Sequence, residues 1–176
     1  MKHPKADAAA QQVFRNKIKQ YERDSHHIVY IDESGFAHDM PRTHGYAPRG
    51  ERCIGTHDWN AKGRVNVIGA VLAGVLLSVG LTKTNVDADV FNLWLTADLI
   101  PKLPPKSVLV MDNATFHRRS ETKAAIAAAG HILEYLPPYS PELNDIEHKW
   151  AQAKSYRRKT ALSVETIIAN QNWNQN

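Results

Sequence analysis

Residues 106 to 117 read KSVLVMDNATFH, and the way this stretch folds decides how the rest of the chain is arranged. Val108 to Met111 is an unbroken apolar run without polar alternation, the pattern of a strand covered on both faces. The run stops at Asp112, after which Asn113 to His117 read as loop. Residues 28 to 35, IVYIDESG, repeat the theme: a β-branched and aromatic run meets Asp32 and then a glycine. Two buried strands, each ending at an aspartate, predict carboxylates gathered at the strand ends, where open α/β sheets place their sites.

Working outward, VIGAVLAGVLLSVGL from Val67 to Leu81 predicts two buried strands joined near Gly74. It is shorter than the ~20 apolar residues that a membrane span needs, and three glycines interrupt it. In NVDADVFNLWLTADLIPKL, residues 85 to 103, Val90, Phe91, Leu93, Trp94, Ala97, Leu99 and Ile100 recur at helical spacing, and Pro101 and Pro104-Pro105 close the helix. Phe14, Ile18 and Tyr21 predict a helix over residues 5 to 22, and an Ala-rich helix over 119 to 129 stops at Gly130. HILEYLPP from His131 predicts another short strand, and Ser140-Pro141 opens a helix running to about Lys159. Residues 35 to 63, rich in Gly, Pro, His and Arg, read as loops with at most short edge strands. This order of elements predicts an α/β class, a mixed sheet with helices on both faces. The organisation expected is a helical lead-in over 1–26, one domain over 27–160, and a helical end with a polar tail over 161–176.

The totals restrict the function. The chain has 176 residues, enough for one buried core, and carries 22 Lys and Arg against 18 Asp and Glu, a mild lean towards polyanionic partners. A single cysteine, Cys53, excludes an internal disulfide and a cysteine-rich zinc site, and no two histidines stand at the spacing of a zincin. The first residues lack the apolar core of a signal peptide, and the expected location is cytoplasmic, away from membranes. No phosphate-cradling glycine loop or nucleophile elbow is present: GAVLAG lacks the dinucleotide spacing, and Asp32 stands two before Ser34 where an elbow needs glycine.

Residues 136 to 150, LPPYSPELNDIEHKW, bring a third acid to the two aspartates. On a helical wheel with Leu143 at zero, Ile146 falls near about −60°, Trp150 near −20° and Glu147 near +40°. Glu147 therefore borders the apolar seam. Asp145, near about 200°, points outward, and Glu142 in the first turn complements the helix dipole. Singly, each inward acid reads as a cap or half of a salt bridge. Together, Asp32, Asp112 and Glu147 would repel by on the order of 4 kcal/mol per close pair at about 4 Å and an effective dielectric of about 20. A divalent cation removes that repulsion. Carboxylate-dominated ligation suits Mg²⁺ or Mn²⁺, and two such ions suit phosphoryl transfer on nucleic acid. After Glu147 the chain carries Lys149, Lys154, Arg157, Arg158 and Lys159 with no acid before Glu165, a candidate phosphate-binding face, with Arg49, Arg42 and Arg52 as further candidates in the loop region.

YIDESGF, LVMDNATFH and LPPYSPELNDIEHKW, in this order, resemble the three catalytic blocks of DDE transposases of the mariner superfamily, in its bacterial insertion-sequence branch. Thirty-four residues separate Asp112 from Glu147, as in that branch, and GYAPRG (45–50) and VNVIGAVLAG (65–74) also look like family segments. The resemblance covers roughly residues 28 to 158 and implies a ribonuclease-H-like fold for the 27–160 domain. It implies Asp32, Asp112 and Glu147 as the catalytic, metal-holding triad, with two Mg²⁺ or Mn²⁺ ions expected as its cofactors. Asn113 and His117 match the D-N-x-x-x-H segment, with an expected role in orienting ligands or the DNA backbone, and Asn144 is expected beside them. The family usually reads Asn-Pro-Ile-Glu where this chain has Asn144-Asp145-Ile146-Glu147; an outward Asp145 makes the change tolerable.

The implied activity is cleavage at element ends and strand transfer into target DNA, in a nucleoid-associated bacterial protein that acts as a homodimer. The 26 residues before the first strand are too few for the helix-turn-helix region that reads inverted repeats. That region is expected from a separate or frameshift-joined half. The alternatives are a related ribonuclease-H-like nuclease, such as a junction resolvase, and an inactive DNA-binding or regulatory fragment.

Overall fold

The computed structural model describes residues 4–38, 47–52 and 63–170. A five-stranded sheet forms its centre, in the order β3-β2-β1-β4-β5: β1 His27–Ala37, β2 Arg64–Leu72, β3 Val75–Thr82, β4 Ser107–Met111 and β5 Ile132–Tyr135. β1 runs antiparallel to β2 and parallel to β4, and β4 runs parallel to β5, so the sheet is mixed. The expected hairpin is β2–β3, and its turn residues Ala73 and Gly74 have φ of 48° and 76°. Two successive positive φ values give a turn whose twist matches that of the strands it joins.

Helices cover both faces. On one, α2 (Ala88–Trp94), the π-helical turn Leu95–Leu99 and α3 (Ser120–Ala128) bury Phe91, Leu95, Leu99 and Ile126 against Val29, Ile31, Ile68 and Leu109. Leu93, expected on the buried side of the second helix, is 68% exposed, because Phe91 and Trp94 already fill the sheet-facing arc. On the other face, α4 (Ile146–Thr160) and α5 (Val164–Asn170) set Ile146, Trp150, Ala153 and Ile167 against Phe36, Val65 and Val67. Beside them α1 (Ala8–Arg23), whose first amides donate to Asp7, packs Phe14 and Ile18 on Ile28, Val108 and Val110. Among the described residues no helix is long and apolar enough to cross a membrane.

Two expected boundaries shift. β1 does not stop at Asp32 but continues to Ala37, because β2 pairs with it over Val29 to Ala37. The last long helix begins at Ile146 rather than at Ser140. Pro141–Leu143 forms one 3-10 turn, and Asn144 is extended at φ −105°, ψ 100°. The reason is packing: Leu143 is drawn to the Phe14 and Ile18 cluster of α1, whereas Ile146 and Trp150 enter the Phe36 cluster. One straight helix cannot serve both. Glu142 accordingly leaves the helix and accepts a hydrogen bond from Gln11 Nε2 at 2.7 Å.

Gly69 sets how closely α4 approaches the sheet. A Cβ at this position would lie 2.6 Å from Trp150 Cη2 and 3.2 Å from Ile146 Cδ1. Gly69→Ala therefore lifts α4 from β2 and costs about 1–3 kcal/mol, the usual range for overpacking. Urea denaturation measures it; an unchanged midpoint would show that the indole does not rest on this strand.

Candidate active site

The cleft begins where pairing fails. β1 and β4 remain in parallel register up to Tyr30 opposite Val110, and two residues further each chain carries an aspartate, Asp32 and Asp112. β4 ends at Met111, so Asp32, though inside β1 and opposite Gly69 of β2, has no strand neighbour on its other side. Both acids line one cleft of about 410 Å³ with Asn113, Leu136, the loop Pro137–Pro141, Asn144 and Glu147. Glu147 stands in the first turn of α4 and is exposed to this opening. It is not pressed into the apolar seam, as the wheel predicted, because Ile146 and Trp150 take the sheet-facing arc.

Asp32 shows what the convergence costs. Burial first, then the charges of Glu147, Glu33 and Asp112, push its carboxyl up to about 7, against a backbone hydrogen bond that works the other way. Burial and acidic neighbours thus both favour the protonated carboxyl, and a nearby cation would act the other way. Asp112 is held below the usual carboxylate range, chiefly by the hydrogen bond from His117 and also by the amide of Ala114, while burial opposes. Among the described residues no three His, Cys, Asp or Glu side chains stand close enough together to hold one metal ion.

The side chains expected to support the triad each have a definite place. His117 is fully buried in a 3-10 turn, Thr115–Arg118. Its Nδ1 lies 2.8 Å from Asp112 Oδ1 and its Nε2 2.9 Å from Glu33 Oε1. Burial alone would lower its pKa, but the hydrogen bonds and charges of Asp112 and Glu33 outweigh burial and raise it to about 9. Asn113 Nδ2 donates to the Leu136 carbonyl at 2.5 Å and its Oδ1 accepts from Arg118, so it ties the exit of β4 to the proline loop. Asn144 is 4% exposed, lines the cleft, and its Oδ1 has no hydrogen-bond partner among the described residues.

The basic residues divide. Advancing about 100° per residue, Lys154 and Arg158 fall within about 20° of Glu147 on α4, while Lys149 and Lys159 fall about 200° and 120° away. Lys154 also lies 5.5 Å from the centre of the Phe36 ring. Arg157, expected to contact DNA, is 8% exposed. Its guanidinium donates to the carbonyls of Ala37, His38 at 2.9 Å and Leu162 at 3.3 Å, bonds that tie α4 to the end of β1. The reason is the αL residue Ala161 that ends α4 and turns the chain back, leaving Leu162 within reach. Arg49 and Arg52 are exposed in the short stretch 47–52 and are not among the residues that line the cleft, and Arg42 lies outside the described residues.

Two residues of this site escape a reading of the sequence. Glu33 looked like a neighbour of Asp32, yet strand alternation sends it to the opposite face, where an acid among Val29 and Ile31 needs a base. Gln11 is 1% exposed and its Nε2 donates to Ser140 Oγ at 2.9 Å, which anchors the proline loop to α1.

Comparison with known proteins bears on the whole arrangement. The family model of the DDE superfamily endonucleases matches residues 27–168. Among curated proteins none matches by sequence. Solved structures similar to this chain include the Mos1 strand transfer complex, with a TM-score of 0.73 and 18% identity over 92% of this chain and 50% of that one. The Mos1 mariner paired end complex with Mn gives 0.68 and 16% identity over 96% and 54%. The HTLV-2 integrase catalytic core domain in complex with magnesium gives 0.52 and 14% identity over 84% and 83%. The chain spans about half the length of these Mos1 chains.

Proposed function

Since the chain belongs to the DDE superfamily endonucleases, and its mixed sheet has the ribonuclease-H-like fold, we propose that it is the catalytic part of a DNA transposase of the insertion-sequence branch of the mariner superfamily. The observation that carries this reading is the meeting of Asp32, Asp112 and Glu147 on one cleft, from a strand interior, a strand end and a helix start.

The donor set fits divalent cations. It is all oxygen, it contains three carboxylates, and the proton that Asp32 holds near neutrality is one that a cation would displace. Asp32, Asp112 and Glu147 would hold two Mg²⁺ or Mn²⁺ ions, and bound ions would activate the attacking oxygen and stabilise the leaving oxygen of a phosphodiester. The chain's own groups do the rest. His117 holds one oxygen of Asp112, Asn113 fixes the proline loop that walls the cleft, and Asn144, whose buried side-chain Oδ1 has no partner among the described residues, lines the cleft beside them. Lys154 and Arg158 extend along α4 from Glu147 by about 10 and 16 Å, at 1.5 Å per residue, and would follow a strand leaving the cleft.

In this reading water attacks at an element end and the freed 3′-hydroxyl then attacks target DNA at the same residues. The Mos1 relatives are paired-end and strand-transfer complexes. We place the reading of end sequences in a helix-turn-helix half, separate or frameshift-joined, and pair two copies at two ends.

Metal removal tests the reading. Supercoiled DNA carrying an element end is nicked in Mn²⁺ or Mg²⁺, nicking stops in excess EDTA, and added Mn²⁺ restores it. Equal nicking in EDTA would remove the metal site from the mechanism.

A further inference from the structure

We propose that Gln11 is a positioning residue of the cleft: from α1 it holds the end of the proline loop, Pro137–Pro141, against which the substrate strand lies. This rests on the reading of the cleft as the place where DNA is cut. Gln11 lies outside residues 27–168, which the family model matches, and Ser140, which it reaches, is 129 residues further along the chain.

The loop has few means of holding itself. Three of its five residues are prolines, which lack the N–H that a turn or a sheet edge would use. Its start is fixed by Asn113 Nδ2, which donates to the Leu136 carbonyl. Its end is fixed by Gln11. This side chain is 1% exposed, and its amide nitrogen donates to Ser140 Oγ at 2.9 Å and to Glu142 Oε1 at 2.7 Å. Both hydrogens are therefore committed to the loop, and a buried amide keeps such partners because leaving it unpaired is costly.

Ser140 passes the restraint on. Its hydroxyl accepts from Gln11 and donates to the Pro138 carbonyl at 3.2 Å, so it brackets Tyr139. Tyr139 stands at φ 56°, a left-handed conformation that a bulky side chain rarely adopts, and it is half exposed where it lines the cleft. Such a conformation persists only where its surroundings fix it, and the Ser140 bracket, tied to α1, supplies a restraint of that kind. The three acids are held by other elements. Asp32 belongs to β1, Asp112 follows β4, and Glu147 stands on a helix that Ile146 and Trp150 seat in the Phe36 cluster. Gln11 thus sets a wall of the cleft without setting the metal ligands.

The test measures cleavage of end-containing DNA, and Mn²⁺ affinity by calorimetry, for the full chain and four variants. These are Gln11→Met, the loop-side pair Ser140→Ala with Glu142→Ala, all three changes together, and Asp112→Asn. Met keeps the length of the side chain and removes both donors. Gln11→Met is expected to lower kcat/KM by on the order of 10- to 100-fold, as a substrate misplaced by up to about 1 Å does. Mn²⁺ affinity moves by no more than about twofold, because the partners of the metal ligands are untouched. The loop-side pair gives a similar loss of cleavage, and adding Gln11→Met to it lowers kcat/KM by no more than about twofold further, since the tie is already broken.

Wild-type cleavage by Gln11→Met overturns the proposal. So does a full further loss in the triple variant, or a fall in Mn²⁺ affinity that matches the fall in cleavage. A Gln11→Met protein that fails to fold makes the residue structural and overturns it too. Asp112→Asn separates the two readings. If it cleaves as the wild type does, or if the unaltered protein does not nick DNA in Mn²⁺, the reading of the cleft falls and this proposal with it. If it does not cleave while Gln11→Met cleaves in full, only the role of Gln11 falls.

Discussion

Replacing Glu147 by Gln reduces strand cleavage by about 10³-fold, equivalent to about 4 kcal/mol of lost transition-state stabilisation. The substitution keeps the size of the side chain and removes only its charge, and Glu147 is exposed, so the fold is not at issue. Thermal unfolding should move by no more than about 0.5 kcal/mol, as at other surface positions. A second readout separates lost charge from lost shape. In metal-free protein, removing the Glu147 charge takes away the largest electrostatic push on Asp32, so the Asp32 carboxyl falls from about 7 towards its ordinary value. Carboxyl NMR would follow this titration. A Glu147→Gln protein that cleaves within tenfold of wild type would leave Glu147 outside the chemistry.

Trp150→Ala has the largest effect on stability. Trp150 is 1% exposed, rests on Gly69 and meets Phe36 edge-on with ring centres 6.2 Å apart. Truncating such a side chain leaves a cavity in the main cluster and costs about 3–5 kcal/mol. For a domain of this size that lowers the melting temperature by roughly 10 °C. The indole Nε1 has no hydrogen-bond partner among the described residues, so its contribution is packing alone. Trp150→Phe therefore costs much less than Trp150→Ala. Because Trp150 lies one turn after Glu147, cleavage by the Ala variant should also fall at temperatures where it remains folded. A melting temperature within 2 °C of wild type would contradict this packing.

Much of the architecture was legible because apolar runs are a direct record of burial. Val108 to Met111 is buried at every position, as an unbroken run predicts for a strand with helices on both faces. Leu143 shows where this record ends. Its helical spacing from Ile146 and Trp150 was real, but the pocket made by Phe14 and Ile18 lies 125 or more residues away in sequence, and it draws Leu143 out of the helix. Arg157 teaches the same lesson for charge. In a run of cations it is indistinguishable from Arg158, and only the return of the chain after Ala161 turns its donors onto backbone carbonyls.

The sequence by itself determined the strands, the hairpin, the helices that cover them and the three acids placed at apolar boundaries, since each depends on local periodicity and on where an apolar run stops. Tertiary structure alone decided which face each acid meets. Asp32 and Glu33 are neighbours with nearly the same chemistry, and strand alternation separates them into a cleft acid and the partner of a buried histidine. Which of them faces the cleft is set by the pairing of β1 with β4 and by the seating of Trp150 on Gly69. Those contacts join residues far apart in the chain, and their energy exists only once the sheet has closed.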